Sequence, residues 1–104
     1  MRFNPDTHFL ILTRKGADQL RRKVNYQDAD VERLRNMLVC VLSEAKIVCE
    51  YEDRRGLVTE LKCESTWEFG TTFVATVIYG TDHNGRPMLS PDGKMRSTFL
   101  TEVR

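Results

Sequence analysis

The chain has no long hydrophobic run and almost no net charge. It has 104 residues, with 16 Lys and Arg against 15 Asp and Glu, which gives a formal net charge of +1. That balance is not typical of a general nucleic-acid coat protein or of a membrane-surface binder, so an electrostatic site must come from local clustering. The apolar run at 9–12 is far too short to span a bilayer, and we expect no membrane partner.

Cysteine and histidine are both scarce. The three cysteines, Cys40, Cys49 and Cys63, are an odd number and contain no CxxC pair, which argues against a disulfide framework and against a zinc site. His8 and His83 have no metal-binding spacing, so we expect no metal and no cofactor. The first residues lack the apolar core of a signal peptide. We therefore expect a cytoplasmic protein with reduced thiols packed as small apolar groups.

The spacing of apolar residues changes once, near residue 46. Before that point apolar residues recur every three or four positions, and after it they alternate, which predicts helices followed by an antiparallel sheet. A chain of this length fits one domain, so we expect a single α+β domain over residues 1–104. Within that domain we expect two N-terminal helices to pack on a four-stranded antiparallel β-meander.

The predicted elements follow from these patterns. We expect helices at 14–24 and Val31–Ala45, and strands near 47–52, 57–64, 72–79 and 95–103. Residues 8–12 fit either the start of the first helix or a short strand. Residues 80–94 carry turn signals and are expected to form a loop. In the strands at 47–52 and 57–64 we expect a hairpin with one solvated face, and in the last strand we expect Met95, Phe99 and Val103 to share a face.

Three residues are candidates for catalysis. His83 lies in a polar, glycine-containing loop, where an accessible imidazole could act as a general acid–base. Arg96 and Thr98 alternate to one face of the last strand, and an arginine there could stabilise a charged phosphoryl group. The simpler interpretation of His83 is a surface histidine. The simpler interpretation of Arg96 and Thr98 is an ordinary strand with a solvated face.

Basic residues form clusters that could bind phosphates despite the neutral total charge. The simpler interpretation is that these side chains are only solvated. The acids lie elsewhere in the sequence, so an acidic pole could meet a basic protein partner instead. An exposed Trp67 at a bend would suggest a partner surface, whereas a buried one would be a core aromatic. The clusters comprise Arg14, Lys15, Arg21, Arg22 and Lys23, then Arg54 and Arg55, then Arg86, Lys94 and Arg96.

Three segments resemble the RelE-like superfamily of small ribonuclease toxins. They are the helix Val31–Ala45, the strand Phe73–Tyr79 and the closing segment Gly93–Phe99, in which a turn glycine precedes a strand with polar and basic groups. The resemblance implies a metal-independent ribonuclease. It also implies that Arg96, Thr98, His83 and Lys94 serve phosphate contact and acid–base roles.

Two function classes follow from these observations. The first is a small non-enzymatic binding protein, an inhibitor or adaptor that docks on a larger protein and is of the type encoded by phages and mobile elements. The alternative is a RelE-like toxin that binds or cleaves RNA. The lack of a complete catalytic constellation and the near-neutral charge favour the binding protein, so we expect no enzyme activity. Either class is compatible with a monomer or a homodimer.

Overall fold

A computed structural model describes residues 1–65 and 70–104, and these form two helices and five strands. Thr13 caps the first helix, because its side chain accepts a hydrogen bond from the Gly16 N–H at 3.1 Å. Asp30 caps the second helix by accepting from the Arg33 N–H at 2.7 Å. In chain order the elements are β1 (His8–Leu12), α1 (Arg14–Val24), α2 (Val31–Ser43), β2 (Lys46–Asp53), β3 (Gly56–Ser65), β4 (Thr71–Gly80) and β5 (Arg96–Val103).

The sheet is mixed, with the strand order β1-β5-β4-β3-β2. The predicted meander is present, because β2, β3, β4 and β5 pair antiparallel in sequence order. The prediction of four antiparallel strands is wrong at one edge, where β1 pairs parallel with β5 and His8 lies opposite Arg96. Residues 8–12 are therefore a strand that precedes the helices. A short apolar run does not show whether it pairs parallel or antiparallel, because its partner strand lies at the other end of the sequence.

The hydrophobic core lies between the helices and one face of the sheet. α1 packs on β5 and β4, whereas α2 contacts β1 and β3. The apolar residues of both helices are mostly buried there, although Val31 at the start of α2 is 44% exposed. Each large buried side chain contributes about 1.5–3 kcal/mol. The fully buried residues include Leu20, Leu34, Leu38, Leu42, Leu61, Val77 and Leu100.

A bulge in β5 breaks the predicted alternation of the last strand. Val77 lies opposite Leu100 and Thr76 lies opposite Glu102, so Thr101 is an extra residue without a partner in β4. Leu100 and Val103 are consequently both in the core cluster. The prediction that Phe99 and Val103 share a face is wrong for this reason.

The edge strand β2 lies outside the helical layer. Seven of its eight side chains are exposed, with Ile47 at 47%, Val48 at 55% and Tyr51 at 48%. The hairpin of β2 and β3 therefore has more than one solvated face, in contrast to the prediction. Among the described residues, no helix is both long and apolar enough to cross a membrane.

Candidate binding surface

The three candidate catalytic residues lie in the loop that joins β4 to β5 and at the start of β5. His83 is exposed in the turn between Thr81 and Pro87, which pair in a β-bridge. Thr98 is fully buried, and its hydroxyl donates to the Arg96 carbonyl at 3.2 Å. Within residues 1–65 and 70–104, no hydrogen bond or ion pair joins His83 to Arg96 or Thr98. These contacts do not pair His83, as a base, with Arg96, as a charge-stabilising group.

The Arg96 guanidinium is held against the end of the sheet. Its Nη2 donates to the Tyr79 carbonyl at 3.3 Å, and its central carbon lies 5.7 Å from the centroid of the Tyr79 ring. Its Nε is buried without a hydrogen-bond partner in the described part of the chain. These contacts give Arg96 a packing role between β4 and β5.

The other histidine, His8, is buried beside the same tyrosine. Its ring centroid lies 4.9 Å from that of Tyr79 and 5.6 Å from that of Phe3. The Asn4 N–H donates to His8 Nδ1 at 2.8 Å, which requires an unprotonated nitrogen there. Burial, and then the positive charge of Arg96, lowers the pKa of His8 below its usual value. His8 therefore stabilises the fold in its neutral form.

The basic clusters outside α1 are tied to local turns. At the tip of the β2–β3 hairpin, Arg55 forms an ion pair with Asp53 at 2.6 Å, and hydrogen bonds from Arg55 lower the pKa of that carboxyl. Arg86 and Lys94 are exposed. Their backbone N–H groups donate to Asp82 at 2.9 Å and to Asp92 at 3.0 Å, respectively. Arg86 and Lys94 therefore lie at turns in which an acidic side chain accepts a backbone hydrogen bond.

The basic cluster on α1 differs from the others because it places four exposed cations on one short helix. Unpaired cations are not confined to it, since Arg54, Arg86 and Lys94 also form no ion pair within the described residues. Arg14, Lys15, Arg22 and Lys23 are exposed, and none of them forms an ion pair within the described residues. The helix period explains their position, since the opposite face of α1 carries the residues that pack on the sheet. We call Arg14, Lys15, Arg22 and Lys23, together with Tyr26, the α1 surface.

Arg21 belongs to the same cluster in sequence but has a structural role. Its Nε donates to the Ala29 carbonyl at 2.8 Å, and its Nη1 pairs with Asp18 at 3.0 Å. These bonds tie the end of α1 to the connection that leads into α2. Arg21 therefore fixes the connection between α1 and α2, and it is not part of the α1 surface.

Tyr26 gives the α1 surface an apolar end. Asn25 ends α1 in the left-handed conformation, with φ 60°, and Tyr26 follows with 39% of its surface exposed. Tyr26, Ala29 and Arg33 help to line an open groove of about 290 Å³ at the connection between α1 and α2. Sequence reasoning missed Tyr26, since residues 25–28 resemble a plain linker. The available signal was an aromatic residue directly after a basic helix. Trp67, the other aromatic candidate, lies outside the described residues.

Metal and thiol chemistry have little support in this structure. No group of three or more His, Cys, Asp or Glu side chains in the described ranges is arranged to hold a metal ion. The three thiols are unpaired, with Cys40 exposed and Cys63 buried. A hydrogen bond to Glu60 raises the pKa of Cys49, and burial raises the pKa of Cys63 to about 12. The last two thiols are therefore protonated and unreactive near neutral pH.

Comparison with protein-family models, with curated proteins and with solved structures finds no match to this chain.

Proposed function

We propose that the protein is a small non-enzymatic binding protein that docks on a larger protein through the α1 surface. The observation that supports this proposal is the set of four exposed cations on one short helix, none of which forms an ion pair within the described residues. Such a set on a nearly neutral protein is a local electrostatic feature, and it suits a partner with an acidic surface.

Two of these four cations are placed unfavourably in the isolated molecule. Arg14 and Lys15 lie in the first turn of α1, where the positive end of the helix dipole disfavours cations, and that turn contains no acid. Arg22 and Lys23 lie in the last turn, where the dipole favours cations. An acidic partner would therefore relieve the dipole effect at Arg14 and Lys15.

The composition of the α1 surface favours a protein partner over a nucleic acid. Arg and Tyr are among the residue types enriched in the energetically important part of protein interfaces. On the α1 surface, Tyr26 follows the helix that carries the four cations. A net charge of +1 gives little general attraction to a polyphosphate. Binding steered by rim charges such as these acts mainly through the association rate and weakens as salt rises.

The first test is capture of a partner from lysate of the source cells, with and without nuclease treatment. The proposal predicts a protein that is retained after nuclease treatment and is lost from the triple variant Lys15→Glu, Arg22→Glu, Lys23→Glu. The matched control is Arg54→Glu, Arg86→Glu, Lys94→Glu, which reverses three exposed cations elsewhere and changes the net charge equally. That control should retain the partner.

Two results would count against the proposal. Captured material that disappears completely after nuclease treatment would identify a nucleic-acid partner and would favour the RelE-like alternative. Equal losses in the two triple variants would show that total charge, and not the α1 surface, controls the association.

A further inference from the structure

The edge strand β2 presents an unpaired side to solvent. It pairs with β3 on one side, and it forms one end of the strand order in the described chain. The backbone groups of its outer side have no strand partner in that order, which makes β2 a template for another strand. The helices leave β2 uncovered, and Ile47, Val48 and Tyr51 are exposed on it. Edge strands with this much exposed apolar surface are sites of strand addition.

We propose that β2 pairs antiparallel with β2 of a second copy of the chain, so that two five-stranded sheets join across a two-fold axis. The argument rests on the order of charges along the strand, which begins with Lys46 and ends with Glu52 and Asp53. Antiparallel pairing of two such strands brings each basic start beside the acidic end of the other copy. Because the axis repeats every contact, the strand is complementary to itself.

The faces of β2 limit the possible registers of this pairing, and the charges at its two ends favour one of them. Lys46, Cys49, Tyr51 and Asp53 of β2 pair with β3 residues that lie on the face of the sheet away from the helices. Val48 has no partner in β3. Residues directly opposite each other in an antiparallel pair must share a face. With the axis at Glu50 and Val48 left unpaired in each copy, as it is in the pairing with β3, Lys46 meets Asp53 and Cys49 meets Tyr51, each on a common face. Ile47 meets Glu52 on the helix face.

This register contains favourable pairs and one unfavourable pair. Two Lys46–Asp53 pairs, each added to the Arg55–Asp53 ion pair within one copy, and two apolar contacts of Tyr51 with Cys49 stabilise the dimer. The Glu50 carboxylates of the two copies meet at the axis, where the ion pair of each with the Met1 ammonium of its own copy reduces their repulsion. An interface made by single strands of eight residues is also below the size of stable interfaces. We therefore expect a weak, reversible dimer.

The dimer leaves the α1 surface accessible. α1 packs on β5 and β4, and β2 is the edge of the sheet opposite β1. The joined sheet would carry the two α1 surfaces at positions remote from the two-fold axis. Self-association is independent of whether α1 binds a protein, so each proposal is tested separately.

Sedimentation velocity over a series of protein concentrations tests the inference. The wild type should associate reversibly, and Lys46→Glu should weaken the dimer about tenfold or more, because it turns two attractive pairs into repulsive ones. Adding Asp53→Lys to Lys46→Glu should restore association.

The matched control is Lys94→Glu in the loop before β5, an exposed cation that forms no ion pair within the described residues. It reverses an exposed cation away from the outer edge and should leave association unchanged. Circular dichroism should show that all variants are folded. A wild type that stays monomeric up to about millimolar concentration, where even weak pairs form, would overturn the inference. Association that is insensitive to Lys46→Glu, or that Asp53→Lys fails to restore, would do the same.

Discussion

At the scale of single residues, the polar groups at one end of the sheet have a structural role. Thr98 and Arg96 were candidates for catalysis from their place on a polar strand. The structure holds Thr98 fully buried and stacks Arg96 against Tyr79. His8 completes this group from the parallel edge strand. A sequence pattern shows that polar residues alternate, but it does not reveal that a distant strand covers them.

His8 makes the stability of the fold dependent on pH. Its pKa in the folded state is lower than the ordinary 6.5, chiefly because the ring is buried. As the pH falls through that ordinary value, the unfolded chain takes up a proton before the folded chain does. The free energy of unfolding therefore decreases until the folded His8 is also protonated.

Urea unfolding at about pH 7.5 and about pH 5 measures this effect. The wild type should lose more stability on acidification than His8→Gln does. His83→Gln should behave as the wild type, because His83 is exposed in its loop. An identical loss in the wild type and in His8→Gln would show that other groups cause the pH dependence.

At the scale of elements, a close approach between α1 and β5 fixes the position of the first helix. Gly16 faces the strand, and a Cβ built on it would lie 2.5 Å from the Leu100 carbonyl oxygen and 3.1 Å from the Thr13 Oγ1. The Thr13 hydroxyl also donates to that carbonyl, at 2.8 Å. Glycine at this position permits the helix to contact the backbone of the strand.

Gly16→Ala should therefore destabilise the protein, although alanine is the better helix former by about 1 kcal/mol. The added methyl group must displace a backbone carbonyl, and we expect a net loss of about 1–3 kcal/mol in the free energy of unfolding. Chemical denaturation checks this, with Lys15→Ala on the exposed face as a control that should change little. A Gly16→Ala protein more stable than the wild type would mean that α1 does not pack this closely.

The elements differ in how far the sequence predicted them. Both helices and the meander β2–β5 follow from the spacing of apolar residues, with small differences such as the end of α2 at Ser43. The parallel pairing of β1 did not follow, and neither did the bulge in β5 or the one in β2 that leaves Val48 unpaired, because these features depend on the partner strand. β2 alternates like a half-buried strand, yet it is exposed because the helices cover other strands.

At the scale of the whole molecule, the two proposed surfaces lie on different layers. The α1 surface belongs to the helical layer over β5 and β4, and β2 is the far edge of the sheet. The sequence identified the basic cluster of α1. It could not separate Arg21, which bonds to Ala29, from the neighbouring arginines and lysines that remain exposed. The distinction depends on how the chain turns after α1.

The most direct measurement compares two variants in one capture assay on nuclease-treated lysate. Binding through α1 without catalysis predicts that Lys15→Glu, Arg22→Glu, Lys23→Glu loses the partner, while His83→Ala with Arg96→Ala retains it. Circular dichroism should show that both proteins are folded. The opposite pattern, together with cleavage of RNA by the purified wild type that Arg96→Ala abolishes, would contradict the proposed function and would identify a ribonuclease.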